Sequence, residues 1–428
     1  MLLTAITLIF FGLALAGIPL VYSLLLTTVG VIWGWGLTHP LETIFLTYIG
    51  GVEPFVLIAV PLFIVSGDLL SRGGVGKRIV DFAQSLFGCL PGGLGIVTVT
   101  ACLLFGGVSG SAIAGSAAIG SVMIPAMLER GYSRAFAGAL ISAAGTLAVI
   151  IPPSIPLLVF GFVSGASVRD LFLSGVVPGI LFGIGMMGVC VRYSKQTGVD
   201  PGGRLASKHE IWRTFKSAFP ALLMPLIILG GIWTGWFTPT EAAAVATIYG
   251  LFISTLVYGD LRWRELPSLI LHSFITSAVV MVVIGATAAV AWVITAEQIP
   301  MFLIGQVKVY ATSKWAFLLI ANVAMLLLGI FIEPLPALLL TAPLFLPLAK
   351  VFNVDLVHLG VVMTANLAIA LYTPPVGGTL FVAAKLANAG IGAITRALVP
   401  LMTATVLVLL LITYVPALST TLVRLILN

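Results

Sequence analysis

The sequence predicts an all-α polytopic membrane protein made of two inverted repeats, with about 10 transmembrane helices and two re-entrant helical hairpins. Three observations lead to this prediction. First, 60% of the 428 residues are hydrophobic and 8% are charged, whereas charged residues make up about a quarter of a typical soluble domain. Second, a pair of prolines interrupts an apolar run. Third, the pattern around that pair returns in the second half of the chain.

The stretch 105–156 contains two breaks within apolar sequence. Gly106–Ser111 consists of Gly and Ser apart from Val108, which predicts a chain reversal rather than a helix. Pro152 and Pro153 remove two backbone donors, so the carbonyls of the preceding turn lose their helical partners. An unpaired carbonyl in hydrocarbon costs on the order of several kcal/mol. The sequence therefore predicts that this break lines a cavity or a cation site.

The second half repeats this arrangement. The Pro374–Pro375 pair lies 222 positions after the Pro152–Pro153 pair, and Gly329 follows Gly107 at the same interval. A hairpin and a broken helix at corresponding positions of two halves are typical of secondary transporters, whose binding site lies near the bilayer midplane between the repeats. We therefore interpret the chain as a duplicated transporter unit.

Each half contains five apolar segments of about 20 residues, the length that crosses a bilayer, and one hairpin. Because five is an odd number, the second half must be inserted upside down relative to the first. The predicted units are a first repeat at 1–192, a cytoplasmic loop at 193–217 and a second repeat at 218–428. The predicted spans are 2–19, 20–38, 50–71, the broken helix 134–164, 171–192, 218–236, 241–257, 268–296, the broken helix 357–384 and 394–415, with hairpins at 90–128 and 315–349.

The basic residues support this topology. With the loop between the repeats inside the cell, only five of the 20 Lys and Arg side chains fall on the outer side, as the positive-inside rule predicts. Those five are Arg169, Lys308, Lys314, Lys350 and Arg424. The first hairpin then opens to the cytoplasm and the second to the far side. Short segments at 76–88 and 299–312 are predicted to be interfacial arms.

Four residues around each break are candidates for a sodium site. At the first break, the carbonyls of Ala148, Ile151 and Pro153 would form a cage of oxygen ligands suited to a hard cation. Ser109, at the hairpin tip, completes this cage. The counterparts in the second half are Gly329, Ala370, Thr373 and Val376. A purely structural interpretation stays open here, because Gly and Ser also permit close helix packing in membranes.

A carboxylate is the expected substrate group. Helices that restart after each tip and each break direct their amide-rich N-termini at the same depth, which favours an anion. The side chains predicted to lie beside it are Ser111, Ser154, Asn366 and Thr379. Each of them can equally be a buried group bonded to its own helix. Glu333, near the second tip, is either a functional intramembrane carboxylate or a cap ahead of a helix.

The sequence contains no pattern for catalysis, for a cofactor or for ATP binding. The four His residues are scattered without HExxH spacing, and the three Cys residues have no CxxC spacing. Gly106–Ser111 lacks the GK[ST] ending of a phosphate-binding loop. We therefore expect no enzyme activity, no catalytic residue, no cofactor, no metal other than sodium and no nucleic-acid partner.

Three motifs carry a resemblance to a known family. They are SGSAIAGSAAIGSVMIPAMLERGYS at 109–133, GTLAVIIPPSIP at 145–156 and NLAIALYTPPVGGTLF at 366–381. With them the chain resembles, over essentially its full length, the large membrane (M, DctM-like) subunit of tripartite ATP-independent periplasmic (TRAP) transporters. The sodium ligands of that family fall on the two cages named above, although Ala148 and Ala370 stand where Gly is usual.

The resemblance implies sodium-driven import of an organic acid by an elevator motion across the bacterial inner membrane. The family transports C4-dicarboxylates, sialic acids, keto acids and sugar acids. It also implies two partners, a periplasmic substrate-binding (P) protein and a small membrane (Q) subunit of about four helices, within the lipid bilayer.

Three alternatives remain at this stage. A stand-alone sodium/divalent-anion symporter of the same elevator architecture would need no binding protein. An intramembrane hydrolase would need a nucleophile with a base, or paired aspartates, and neither pattern occurs. A passive channel agrees less well with closed hairpin tips than alternating access does.

Overall fold

The computed structural model describes residues 2–311 and 313–427 as helices joined by short turns, with no strand among them. The predicted all-α fold class is confirmed. The helices of the first half are α1 (Leu2–Leu15), α2 (Leu20–Gly34), α3 (Glu42–Val52), α4 (Ala59–Arg72), α5 (Val75–Phe87), α6 (Gly93–Ser109), α7 (Ala112–Glu129), α8 (Arg134–Gly145), α9 (Leu147–Ile150), α10 (Ile155–Ser164) and α11 (Val168–Thr197). Those of the second half are α12 (Lys208–Trp233), α13 (Pro239–Phe252), α14 (Leu266–Ala296), α15 (Ile299–Tyr310), α16 (Lys314–Gly329), α17 (Pro334–Val351), α18 (Leu356–Ala370), α19 (Gly378–Ala387), α20 (Ile391–Tyr414) and α21 (Ala417–Leu427).

Nine helical segments of the described chain are long and apolar enough to cross a membrane, or ten if the bent pair α15 and α16 is counted as one span. The chain is therefore a multi-pass membrane protein. The first two predicted spans, 2–19 and 20–38, are shorter than expected, because Gly17 and Gly36 adopt left-handed backbone and end α1 and α2 early. The predicted span 50–71 begins at Phe55, after Pro54 separates it from α3.

Helices α1–α5 and α12–α15 form one packed group, which we call the frame. Within it α4 packs on α13, α14 packs on α2 and α3, and α12 packs on α5 and α13. Two interhelical hydrogen bonds reinforce these contacts, as polar groups often do between membrane helices. The Thr247 hydroxyl donates to the Leu62 carbonyl at 2.9 Å, and the Ser273 hydroxyl donates to the Asp68 carboxylate at 2.6 Å.

Helices α6–α11 and α16–α21 form a second group, which we call the hairpin body. Helices α6 and α7 occupy the predicted first hairpin, α16 and α17 the second, and α8–α10 and α18–α19 the two broken helices. The halves meet inside this body, where the hydroxyls of Ser142 and Thr379 lie 3.4 Å apart. Re-entry of the hairpins and the inverted orientation of the halves stay predictions.

The predicted arms are helices α5 and α15. Helix α5 packs on α6 and α7 of the hairpin body and on α4 and α12 of the frame, so it lies on the side of the frame that faces the hairpin body. Helix α15 packs on α14 and α17 in the same way. The last residue of the predicted arm 299–312, Thr312, lies outside the described residues.

Candidate functional site

The first hairpin turns within two residues. Helix α6 continues to Ser109, Gly110 has a φ of +60°, and Ser111 caps α7 by accepting a hydrogen bond from the Ala114 N–H at 3.3 Å. The prediction of a reversal spanning all of Gly106–Ser111 was therefore wrong for its first four residues. Within a membrane, small residues keep the helical bonds that satisfy their backbone, and only the position that needs a left-handed φ leaves the helix.

The first broken helix is interrupted where the paired prolines predict it. Helix α9 ends at Ile150, and α10 begins at Ile155. The Ser154 hydroxyl donates to the Val149 carbonyl and accepts the Leu157 N–H at 3.4 Å. Of the carbonyls in the turn before the break, that of Val149 is therefore bonded.

The remaining oxygens of the first break lack donors. Among the described residues, no N–H or hydroxyl donates to the backbone oxygen of Ala148, Ile151 or Pro153. Ala148 and Pro153 are buried, and Ile151 is half-buried. A buried carbonyl without a partner is costly in a low-dielectric interior. These three oxygens therefore have free lone pairs for a ligand.

The tip of the first hairpin rests directly on this break. A Cβ atom on Gly110 would lie 2.7 Å from the Pro153 carbonyl oxygen, and one on Gly106 would lie 2.8 Å from the Ala148 Cα. Ser109 lies between these two contact points in the chain and is 1% exposed. The four residues of the first candidate site are therefore brought to one place.

The second break shows the same contact with a different bonding pattern. A Cβ atom on Gly329, at the end of α16, would overlap the Cβ of Ala370. Among the described residues, nothing donates to the backbone oxygens of Gly329, Thr373 or Val376. The Ala370 carbonyl, however, accepts the Thr373 N–H at 3.0 Å. The four residues of the second candidate site thus share one region, with one of the four oxygens already bonded.

The two tips also touch the frame. A Cβ atom on Gly67 of α4 would lie 2.8 Å from the Ser109 carbonyl oxygen. At the second tip, the rings of Phe331 and Phe11 of α1 meet edge to face with centroids 5.6 Å apart. Each candidate site therefore lies next to the surface along which frame and hairpin body contact one another.

Of the four predicted substrate residues, only Ser111 is partly exposed. Ser154 and Thr379 are buried, and the Thr379 hydroxyl donates to the Leu371 carbonyl at 2.9 Å. Beside Ser111, the side chain of Ile113 is 46% exposed. The open face at the first tip therefore presents one hydroxyl, the N-terminus of α7 and apolar surface.

Asn366 takes part in a buried amide pair that sequence reasoning missed. Its Nδ2 donates to the Asn322 backbone oxygen at 3.0 Å and to the Asn322 Oδ1 at 2.9 Å. Asn322 in turn donates to the Thr413 hydroxyl at 2.9 Å. The side-chain oxygen of Asn366 has no donor among the described residues. The sequence signal for this pair is the presence of two amide side chains in apolar helices of the same half of the chain.

Glu333 occupies the N-cap position of α17, but its carboxylate accepts no N–H of that helix. The interpretation of this residue as a helix cap is therefore not supported. The side chain is exposed at the second tip. If the second hairpin is re-entrant as predicted, this carboxylate lies within the membrane and is a functional candidate.

Within the described part of the chain, no three His, Cys, Asp or Glu side chains lie close enough to hold a metal ion. Cys89, Cys102 and Cys190 are free thiols. The oxygen donors at the two breaks are backbone and hydroxyl groups, which suit hard cations rather than transition metals.

Comparisons with known proteins agree with this architecture. Residues 7–418 match the family model "Tripartite ATP-independent periplasmic transporter, DctM component". The chain is 40% identical to the C4-dicarboxylate TRAP transporter large permease protein DctM of Pseudomonas aeruginosa, over 86% of each chain. It is 37% identical to the sialic acid TRAP transporter large permease protein SiaM of Vibrio cholerae, over 95% of this chain and 94% of the relative. A crystal structure of the Alcanivorax borkumensis YdaH transporter shares the fold, with a TM-score of 0.52 and 15% identity over 98% of this chain and 99% of that one.

Proposed function

This chain belongs to the DctM component family of tripartite ATP-independent periplasmic transporters, and we propose that it imports a carboxylate-bearing organic acid across the bacterial inner membrane by coupling it to sodium. It is a transporter permease and not an enzyme. The observation that carries the proposal is the contact of each hairpin tip with a proline break, where three of the candidate backbone oxygens lack donors among the described residues.

Sodium is the ion that these oxygens favour. The first cage consists of the carbonyls of Ala148, Ile151 and Pro153 with Ser109, and the second of Gly329, Ala370, Thr373 and Val376. Neutral oxygen ligands suit a hard cation of low charge, and such a cation replaces the missing donors at mid-depth. A bound ion would also hold each tip against its break, because the ligands come from both.

A carboxylate would meet the open face at the first tip. Ser111 and the N-terminus of α7 supply a hydroxyl, peptide N–H groups and the positive end of a helix dipole. Ser154, Asn366 and Thr379 stay predicted substrate residues, and their burial means that the tip must move before they reach a ligand. The names of the relatives, which specify a C4-dicarboxylate and sialic acid, support an organic acid as the class of substrate.

Transport would follow from motion of the hairpin body against the frame, as in an elevator. Sodium fixes the tips in the geometry that accepts the acid, so ion and substrate are coupled by differential affinity for the two arrangements. If two sodium ions accompany a monoanion, the surplus positive charge adds about 2.3 kcal/mol per 100 mV of membrane potential. Uptake is then electrogenic.

The proposal includes two partner proteins, a periplasmic substrate-binding (P) protein and a small membrane (Q) subunit of about four helices. The three-part description of the family supports them. The alternative is a stand-alone sodium/divalent-anion symporter with the same architecture, which would transport without a binding protein.

The test is uptake by vesicles that contain this chain and the small subunit. A panel of labelled C4-dicarboxylates, sialic acids, keto acids and sugar acids is offered, each with and without its binding protein. We expect sodium-dependent accumulation of one acid only when its binding protein is present. Equal uptake without any binding protein would favour the stand-alone symporter, and equilibration without accumulation would favour a passive channel.

A further inference from the structure

Asp200, in the loop between α11 and α12, is a buried carboxylate outside both candidate sites. Its side chain is 1% exposed and accepts three hydrogen bonds. The donors are the Leu94 N–H at 2.8 Å, the Tyr132 hydroxyl at 3.1 Å and the Arg130 guanidinium at 3.4 Å. A buried carboxylate is tolerated only when it is paired and hydrogen-bonded, so Asp200 fixes all three donors around itself.

The three donors come from the base of the first hairpin. Leu94 lies in the first turn of α6, where the helix dipole favours a negative charge. Arg130 follows the last residue of α7, and Tyr132 lies in the turn that leads to α8. Burial and the neighbouring Asp200 carboxylate raise the pKa of Tyr132, so its hydroxyl stays protonated and donates. One side chain thus ties both legs of the hairpin to the start of the first broken helix.

The backbone of the same loop also contacts a second segment that connects the frame to the hairpin body. The two connecting segments are the one between α5 and α6 and the one between α11 and α12, which contains Asp200. The Asp200 carbonyl accepts the Gly92 N–H and the Ser194 hydroxyl, each at 2.9 Å. Gly202 lies so close to Cys89 that a Cβ there would be 2.7 Å from the Cys89 carbonyl oxygen. The two connecting segments are therefore held together at Asp200 and Gly202.

Helix α6 connects that point to the first cation site. It runs without interruption over 17 residues from Gly93 to Ser109, about 25 Å at 1.5 Å per residue. Its first turn is bonded to Asp200, and its last residue is Ser109. A helix of this length transmits a shift at its base to its tip because its own hydrogen bonds keep it rigid.

We propose that Asp200 is a positioning residue for the first cation site: by anchoring the base of α6, it sets the contact of Ser109 with the Pro152–Pro153 break. This inference rests on the proposed sodium coupling and deepens it. At the corresponding position of the second half, 222 residues after Asp200, the chain has Leu422, which carries no carboxylate. The two sites would therefore differ in how firmly their tips are held.

The test compares sodium titrations of uptake by the complete transporter. In Asp200→Asn the side chain keeps its shape but loses the charge that pairs with Arg130 and the α6 N-terminus. We expect the sodium concentration for half-maximal uptake to rise about tenfold, the equivalent of about 1.4 kcal/mol, with a smaller rise in Tyr132→Phe, which removes one of the three donors. Glu129→Gln, at an exposed acid beside Arg130, is the matched control and should titrate as the wild type does.

A merely structural role would reduce the amount of folded protein without moving the sodium titration of the protein that remains. The positioning role alone would therefore be overturned if Asp200→Asn and Tyr132→Phe both kept the wild-type sodium concentration for half-maximal uptake, with uptake normalised to the amount of folded protein. If wild-type uptake itself shows no sodium dependence, the proposed coupling fails and this inference falls with it.

Discussion

A single methyl group at Gly110 tests whether contact between the first tip and its break controls cation binding. Gly110 has a φ of +60°, and a residue with a side chain costs about 1–2 kcal/mol more than glycine in that conformation. The added Cβ would also lie 2.7 Å from the Pro153 carbonyl oxygen, which is closer than van der Waals contact. In Gly110→Ala the tip must therefore withdraw from the break.

Sodium binding would oppose this withdrawal, because its ligands lie on both the tip and the break. If about 1–2 kcal/mol of strain from the overlap with Pro153 is relieved only in the sodium-free state, the half-saturating sodium concentration rises about 5- to 30-fold. The assay is sodium-dependent uptake by vesicles with all three components, alongside thermal unfolding of the purified chain. The maximal rate of uptake at saturating sodium should change by a smaller factor than the half-saturating sodium concentration does.

Gly165→Ala is the matched control. Gly165 also ends a helix with a left-handed backbone, at a φ of +71°, but no atom lies within 4 Å of an added Cβ. We expect Gly165→Ala to lower thermal stability by a similar backbone strain while leaving the sodium titration unchanged. Equal shifts in the two variants, or no shift in Gly110→Ala, would refute the role of the tip contact.

Two further substitutions separate stability from coupling. Thr238→Ala removes the hydroxyl that accepts the Glu241 N–H at 3.3 Å in the capping box of α13; we expect thermal unfolding to show a loss of about 1 kcal/mol without a change in sodium titration, because α13 belongs to the frame. Glu333→Gln should retain sodium-driven uptake, because both proposed cages use backbone and hydroxyl oxygens. Loss of sodium dependence in this variant would indicate that the Glu333 carboxylate, rather than the cages, couples sodium to transport.

The breaks were predictable from sequence because proline acts locally. Pro152–Pro153 removes two donors wherever the rest of the chain lies, so the end of α9 at Ile150 follows from the residues themselves. The extent of the hairpin turn was not predictable in the same way. Gly106 and its neighbours accept either helix or turn, and only packing against Ala148 shows that the helix continues to Ser109.

The contacts that sequence reasoning missed join residues far apart in the chain. Asn322 and Asn366 are 44 residues apart, and Asp200 meets Leu94 across 106 residues. Composition places the two amides in apolar helices and Asp200 in a loop, but neither fact identifies a partner. These pairings depend on how α6, α11, α16 and α18 pack, which the hydrophobic pattern alone does not determine.

The most direct test of the account is the choice of coupling ion. Vesicles containing this chain, the small subunit and a matched binding protein are given either an inward sodium gradient or an inward proton gradient, with the membrane potential held equal. Peptide-oxygen cages at Ala148 and Ala370 predict accumulation of the labelled acid with the sodium gradient alone. Full accumulation with the proton gradient and no sodium would contradict the proposed sodium sites.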